Sequence, residues 1–163
     1  MRDTSTSPAL EPWDAARASE LIAGLKGQDG PLLPILHAIQ QTFGCIPEAA
    51  EPLIAAELNV TRAEVHGVVT FYHDFRREPA GRHVLKVCRA EACQSMGSDA
   101  LVSHLERSLG LSCGETSADG RITVEAVYCL GLCAVAPSAM FDGIVHGRLN
   151  EQRLDTLVAE AKP

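Results

Sequence analysis

Ile122-Thr123-Val124-Glu125-Ala126-Val127-Tyr128-Cys129-Leu130-Gly131-Leu132-Cys133 is the stretch on which the reading of this chain turns. Ile122, Val124, Ala126 and Tyr128 recur at every second position, the pattern of a half-buried strand. The strand runs directly into two cysteines with three residues between them. In front of it, Asp119-Gly120 reads as a hairpin-type turn. Behind it, Asp142-Gly143 joins Ala139-Met140-Phe141 to Ile144-Val145. Leu154, Leu157, Val158 and Ala161 close the chain with a helix.

Upstream, residues 83–87 are strand-like, and Leu101, Val102, Leu105 and Leu109 mark a helix. The order strand, helix, strand, strand, strand, helix describes a compact layer of thioredoxin-like α/β type over residues 83–163. Residues 77–82 carry Pro79 and Gly81 among polar neighbours and read as a linker.

Before the linker the period is helical. Ala18, Leu21, Ile22 and Leu25 share one face after Trp13, and Gly27 and Gly30 end that pattern. Pro31 suits the start of a second helix, whose Leu32, Ile35, Leu36, Ile39 and Phe43 run to Gly44. A third helix covers about residues 47–58, with Pro52 in or near its first turn. Thr61 and Glu64 form a capping box for a fourth, with Val65, Val68, Val69, Tyr72 and Phe75 along one side. The expected fold class is therefore α+β: an N-terminal four-helix bundle over residues 13–76, then the thioredoxin-like domain, with residues 1–12 as a disordered or extended tail.

The bulk composition bounds the function. The 163 residues are 46% hydrophobic and 21% charged, with a net charge of −7 and no basic stripe, which argues against a nucleic-acid partner. Residues 1–18 are polar and acidic, unlike a secretory signal or a transit peptide. No apolar run approaches membrane-spanning length, so no direct membrane insertion is expected. The expected location is the cytoplasm, where thiols stay reduced.

Six cysteines in such a chain require an explanation. Cys88 and Cys93 have four residues between them, Cys129 and Cys133 three, and each pair follows a strand. The 35 residues between the pairs suffice for one helix and one strand, which returns the chain to the same end of a sheet. Four thiolates from two loops suit an iron–sulfur cluster, and Gly131 permits a positive φ that turns N–H groups toward an anion. The helix after Cys93 would add a dipole term of roughly 0.3–1 kcal/mol, which tunes a cluster without holding it. A four-cysteine zinc site that staples a docking module, two disulfides, and a catalytic dithiol remain open on spacing alone. Cys45 and Cys113 read as small buried hydrophobes. The six histidines share no spacing, and no Gly-rich phosphate loop follows a strand, so the chain shows no nucleotide or flavin site of its own.

Val65-His66-Gly67-Val68-Val69-Thr70-Phe71-Tyr72, the pair Cys88 and Cys93, and Cys129-Leu130-Gly131-Leu132-Cys133-Ala134-Val135-Ala136-Pro137 together resemble one family. It is the thioredoxin-like [2Fe-2S] subunit family of respiratory complex I, NAD-reducing hydrogenases and NAD-dependent formate dehydrogenases. The resemblance runs over about residues 32–161. It implies one [2Fe-2S] cluster on Cys88, Cys93, Cys129 and Cys133, and docking to an FMN- and NAD-binding flavoprotein subunit. The chain itself would be a non-catalytic electron-transfer subunit. Cys88-Arg89-Ala90-Glu91-Ala92-Cys93-Gln94-Ser95-Met96-Gly97 looks most like the gamma subunit of soluble, molybdenum-dependent, NAD-linked formate dehydrogenases. That narrower likeness implies a molybdenum-containing catalytic subunit in the same complex.

Three further expectations follow. Arg89, between the first two cysteines, would either raise a cluster potential or sit solvated in its loop. The Ala136–Pro137 bond is expected to be cis, as thioredoxin folds commonly place a cis proline before this strand. Phe71, Tyr72 and Phe75 read more readily as helical core than as a docking face.

Overall fold

The computed structural model describes residues 10–161, in two compact units that divide between Pro79 and Ala80. The tail expected over residues 1–12 lies mostly outside the described residues. No described helix is long and apolar enough to cross a membrane.

The first unit holds four helices, α1 (Ala15–Leu25), α2 (Leu32–Phe43), α3 (Ala50–Leu58) and α4 (Arg62–Phe71). They share one apolar core in which Ala18, Ile22, Ile35, Leu36, Ile39, Ile54 and Val65 are fully buried. Each large aliphatic in that set contributes about 1.5–3 kcal/mol by leaving water. Local signals set the helix ends: Asp14 accepts from the Arg17 N–H, Gly44 turns α2 off at φ +80°, and the Thr61–Glu64 capping box is complete. Pro52 occupies the third position of α3, where its missing N–H costs no helical bond.

The aromatic segment departs from the core expectation. Phe75 is buried, but Phe71 is 72% exposed and Tyr72 44% exposed, stacked edge to face at 5.1 Å. α4 ends at Phe71, and Tyr72 has extended backbone, so the helical spacing that would have turned Tyr72 inward stops one residue early.

A buried charge also lies in this unit. Glu51 has no solvent exposure; its carboxylate meets Arg62 Nε at 3.1 Å, His66 Nδ1 at 3.1 Å and Arg77 Nη2 at 2.5 Å. Burial pushes its carboxyl up, but the hydrogen bonds from Arg77, His66 and Arg62 outweigh that and hold it below its ordinary value.

The second unit is mixed helix and sheet, consistent with a thioredoxin-like α+β fold. Its elements are β1 (His83–Cys88), α5 (Glu91–Ser95), α6 (Ser98–Leu109), β2 (Ile122–Val127), β3 (Ala139–Phe141), β4 (Ile144–His146) and α7 (Glu151–Glu160). The sheet order is β2-β1-β3-β4. β1 and β2 are parallel, while β1–β3 and β3–β4 are antiparallel. Leu101, Val102 and Leu105 of α6 and Leu154 and Leu157 of α7 pack with Leu85, Val87, Ile122 and Val124 of the sheet. The Asp142-Gly143 turn has positive φ at both residues, which closes the β3–β4 hairpin.

Strand β2 is more deeply set than alternation implies. Thr123 is buried as well as Ile122 and Val124, because Gly81 N–H donates to its hydroxyl at 2.7 Å and Thr116 Oγ1 lies 2.7 Å away. Tyr128 falls outside the strand and is 74% exposed. The Asp119-Gly120 turn leads into β2, but only a single bridge, Thr116 to Thr123, precedes it as a partner.

Candidate metal centre

The parallel β1–β2 pairing decides where the cysteines lie. Cys88 is the last residue of β1 and faces Val127, the last of β2, so Cys129 follows two residues beyond the same sheet end. β1 has a partner on each side, and the Cys88 N–H donates to the Ser138 carbonyl at 3.0 Å. Cys93 lies inside its own short helix, α5, rather than in a loop before the long helix. Gly97 at φ +93° separates α5 from α6, and that break was not visible as a separate helix in the hydrophobic period.

Cys88 and Cys93 are each 2% exposed, whereas Cys129 and Cys133 are exposed. Cys129 has φ +92°, a conformation that costs a non-glycine residue about 1–2 kcal/mol. Gly131 follows at φ +76°, as expected for its loop, and its N–H donates to Cys129 Sγ at 3.4 Å. Cys133 opens a 3-10 turn, Cys133–Val135. Behind that turn Gly147 permits a close approach: a Cβ there would stand 2.9 Å from the Val135 carbonyl oxygen. The neighbouring Arg148 N–H donates to that oxygen at 2.6 Å. The Ala136–Pro137 bond is cis, as expected.

The sulfurs converge in two pairs. Cys129 Sγ and Cys133 Sγ are 3.7 Å apart, close to the separation of about 3.8 Å that two thiolates take on one tetrahedral metal with bonds of about 2.3 Å. Burial raises the Cys88 thiol, but hydrogen bonds from the Ala90 N–H, the Cys93 thiol and the Cys129 and Leu130 N–H groups reverse that and lower its pKa. The Cys133 thiol is raised, first by its hydrogen bond to Cys129 and then by the charge of Cys129, by burial, and by the charges of Cys93 and Cys88. Among the described residues no group of three or more His, Cys, Asp or Glu side chains is arranged to hold a metal ion. Two pairs of thiols with backbone N–H groups at hand are the donor chemistry that a two-iron centre uses, two thiolates to each iron.

Two side chains at this centre carry no motif in the sequence. Ser98, fully buried at the start of α6, donates to the Cys88 carbonyl oxygen at 2.5 Å. Ser138, 1% exposed, places its hydroxyl 3.5 Å from Cys93 Sγ. The only sequence signal for either is a small hydroxyl residue next to Gly97 or Pro137. Arg89, by contrast, directs its guanidinium to Asp99 at 3.2 Å, an acidic partner that offsets its charge. Cys45 is buried and Cys113 packs at the edge of the second core; burial raises both thiols.

The thioredoxin-like [2Fe-2S] ferredoxin family model matches residues 18–162. The chain is 39% identical over 112 residues to an NADH-quinone oxidoreductase subunit from Pseudomonas aeruginosa, covering 69% of this chain and 68% of that protein. It is 32% identical over 141 residues to NADP-reducing hydrogenase subunit HndA of Solidesulfovibrio fructosivorans, covering 86% and 82%. Its fold superimposes on an NAD+-reducing [NiFe]-hydrogenase in the air-oxidized state with a TM-score of 0.67 at 26% identity. That match takes in 80% of this chain but only 22% of the hydrogenase chain. This chain belongs to the thioredoxin-like [2Fe-2S] ferredoxin family, whose members carry one [2Fe-2S] cluster.

Proposed function

We propose that this chain holds its [2Fe-2S] cluster on Cys88, Cys93, Cys129 and Cys133 and exchanges single electrons with the flavin of an FMN- and NAD-binding partner subunit. The parent complex is a soluble, cytoplasmic, NAD-dependent formate dehydrogenase, with formate oxidised on a separate molybdenum subunit. The likeness of residues 88–97 to the gamma subunit of such enzymes supports that choice. The relatives named for NADH-quinone oxidoreductase and NADP-reducing hydrogenase support the alternative, the equivalent subunit of respiratory complex I or of an NAD-reducing hydrogenase.

The observation that supports the reading is the 3.7 Å approach of the Cys129 and Cys133 sulfurs just beyond β2, the strand whose parallel partner β1 ends in Cys88. Bound there, the cluster supplies a one-electron carrier beside a two-electron flavin. The chain's own residues fix the sulfurs and screen their charge. The Ala90, Cys129 and Leu130 N–H groups face Cys88, and the Gly131 N–H faces Cys129. The exposed pair marks the side from which an electron enters or leaves. Residues 13–76 serve as a helical bundle for docking, residues 77–82 as a linker and residues 83–163 as the cluster domain. The exposed Phe71 and Tyr72, packed edge to face as one apolar patch, supply a contact for the flavoprotein.

Anaerobic purification of the native complex tests this. Two irons per chain should accompany FMN and molybdenum. Nickel would select a hydrogenase, and quinone-linked membrane subunits respiratory complex I. A colourless, iron-free chain would overturn the ligand assignment.

A further inference from the structure

Four polar or charged residues are buried among the described ones: Glu51, Ser98, Thr123 and Ser138. Three have ordinary oxygen or nitrogen partners. Glu51 is ringed by cations, Ser98 donates to a carbonyl and Thr123 is held by Gly81 and Thr116. Ser138 differs, because the partner of its hydroxyl is a sulfur, Cys93 Sγ at 3.5 Å.

The backbone leaves that hydroxyl little freedom. The Ser138 carbonyl accepts from the Cys88 N–H at 3.0 Å, and the next residue, Ala139, is paired with Val87 across β1 and β3. The residue is therefore clamped to the strand that ends in one buried cysteine, while its side chain faces the other. At 1% exposure no solvent competes for the hydroxyl, and a hydrogen bond in such surroundings is electrostatically stronger than one in water.

In the free thiol form either atom could be the donor. A cysteine bound to iron has no proton, so its sulfur can only accept and the hydroxyl must donate. A donor aimed at a ligand sulfur favours the more negative, reduced state of the centre over the oxidised one. Reduction adds one electron and no proton, so the hydroxyl keeps its hydrogen throughout.

We infer that Ser138 is a positioning residue that donates a hydrogen bond to the Cys93 sulfur and thereby raises the midpoint potential of the cluster. This rests on Cys93 being a ligand. It adds a side-chain donor to backbone N–H groups that already face the sulfurs, among them that of Gly131, while Arg89 is turned to Asp99.

The test uses full-length chain purified anaerobically with its cluster, with the fraction reduced followed by visible absorption and electron paramagnetic resonance at fixed solution potentials. S138T keeps the hydroxyl and adds a methyl, S138V has the shape of that threonine with the hydroxyl replaced by a methyl, and S138A removes the hydroxyl without adding bulk. At equal poise the reduced-to-oxidised ratio should fall about tenfold in S138A and S138V, equal to about 59 mV for a one-electron couple, with S138T close to wild type. Loss of the cluster from S138A and S138V but not from S138T would also support the hydroxyl's role. Wild-type potential in S138A, an equal shift in S138T and S138V, or loss of the cluster from all three variants would overturn it. An iron-free wild-type chain would instead overturn the ligand assignment on which it rests.

Discussion

Cys88 and Cys93 sit at the end of a doubly paired strand and inside a short helix, each 2% exposed. Cys129 and Cys133 sit in an exposed loop that needs two left-handed residues, at φ +92° and +76°, to bring its sulfurs round. The buried pair is held by sheet register and by two buried serines. The exposed pair is held by local backbone conformation. One half of the proposed centre is thus fixed by the folding of the sheet, while the other half is shaped by the local backbone of an exposed loop.

Serine substitutions should separate the two halves most widely. Cys93→Ser places a weak ligand where no water can help, and it should leave about a tenth or less of the wild-type iron. Cys133→Ser sits where solvent or added thiol can complete the coordination, and it should retain about half or more. Iron per chain after anaerobic purification reads both. Equal losses would mean that exposure has no bearing on how each half binds.

A smaller effect is expected at Gly131. A Cβ there meets nothing within 4 Å, so Gly131→Ala acts through its positive φ alone, at about 1–2 kcal/mol. The cluster should leave for a chelator about tenfold faster, with the melting of the sheet unchanged. Release at the wild-type rate would show that the loop is held by something other than its own backbone.

What the sequence disclosed was what neighbours in sequence decide. The Thr61–Glu64 box, the Gly44 stop and the Asp142-Gly143 hairpin are each complete within four residues, so their chemistry could be read directly. The cysteine spacing was legible because parallel strands return a chain to the same edge. Ser138 was not, since its hydroxyl meets a sulfur 45 positions away. Glu51 was hidden for the same reason: a glutamate in a helix reads as solvated until Arg62, His66 and Arg77 are seen to surround it. Phe71 and Tyr72 misled because periodicity marks an apolar side without telling where the helix stops.

Glu51 couples the stability of the helical half to acid. Its carboxyl is held below its ordinary value of 4.5, so the unfolded chain takes up that proton before the folded one does. The stabilisation is fully present above the ordinary value and drains away as pH falls toward the folded value. Denaturant midpoints should therefore decline on acidification more steeply for wild type than for Glu51→Gln, in which the titrating group is gone. Equal slopes would show that this knot of charge does not govern acid sensitivity, so the helical half would owe its tolerance of low pH to its apolar packing alone.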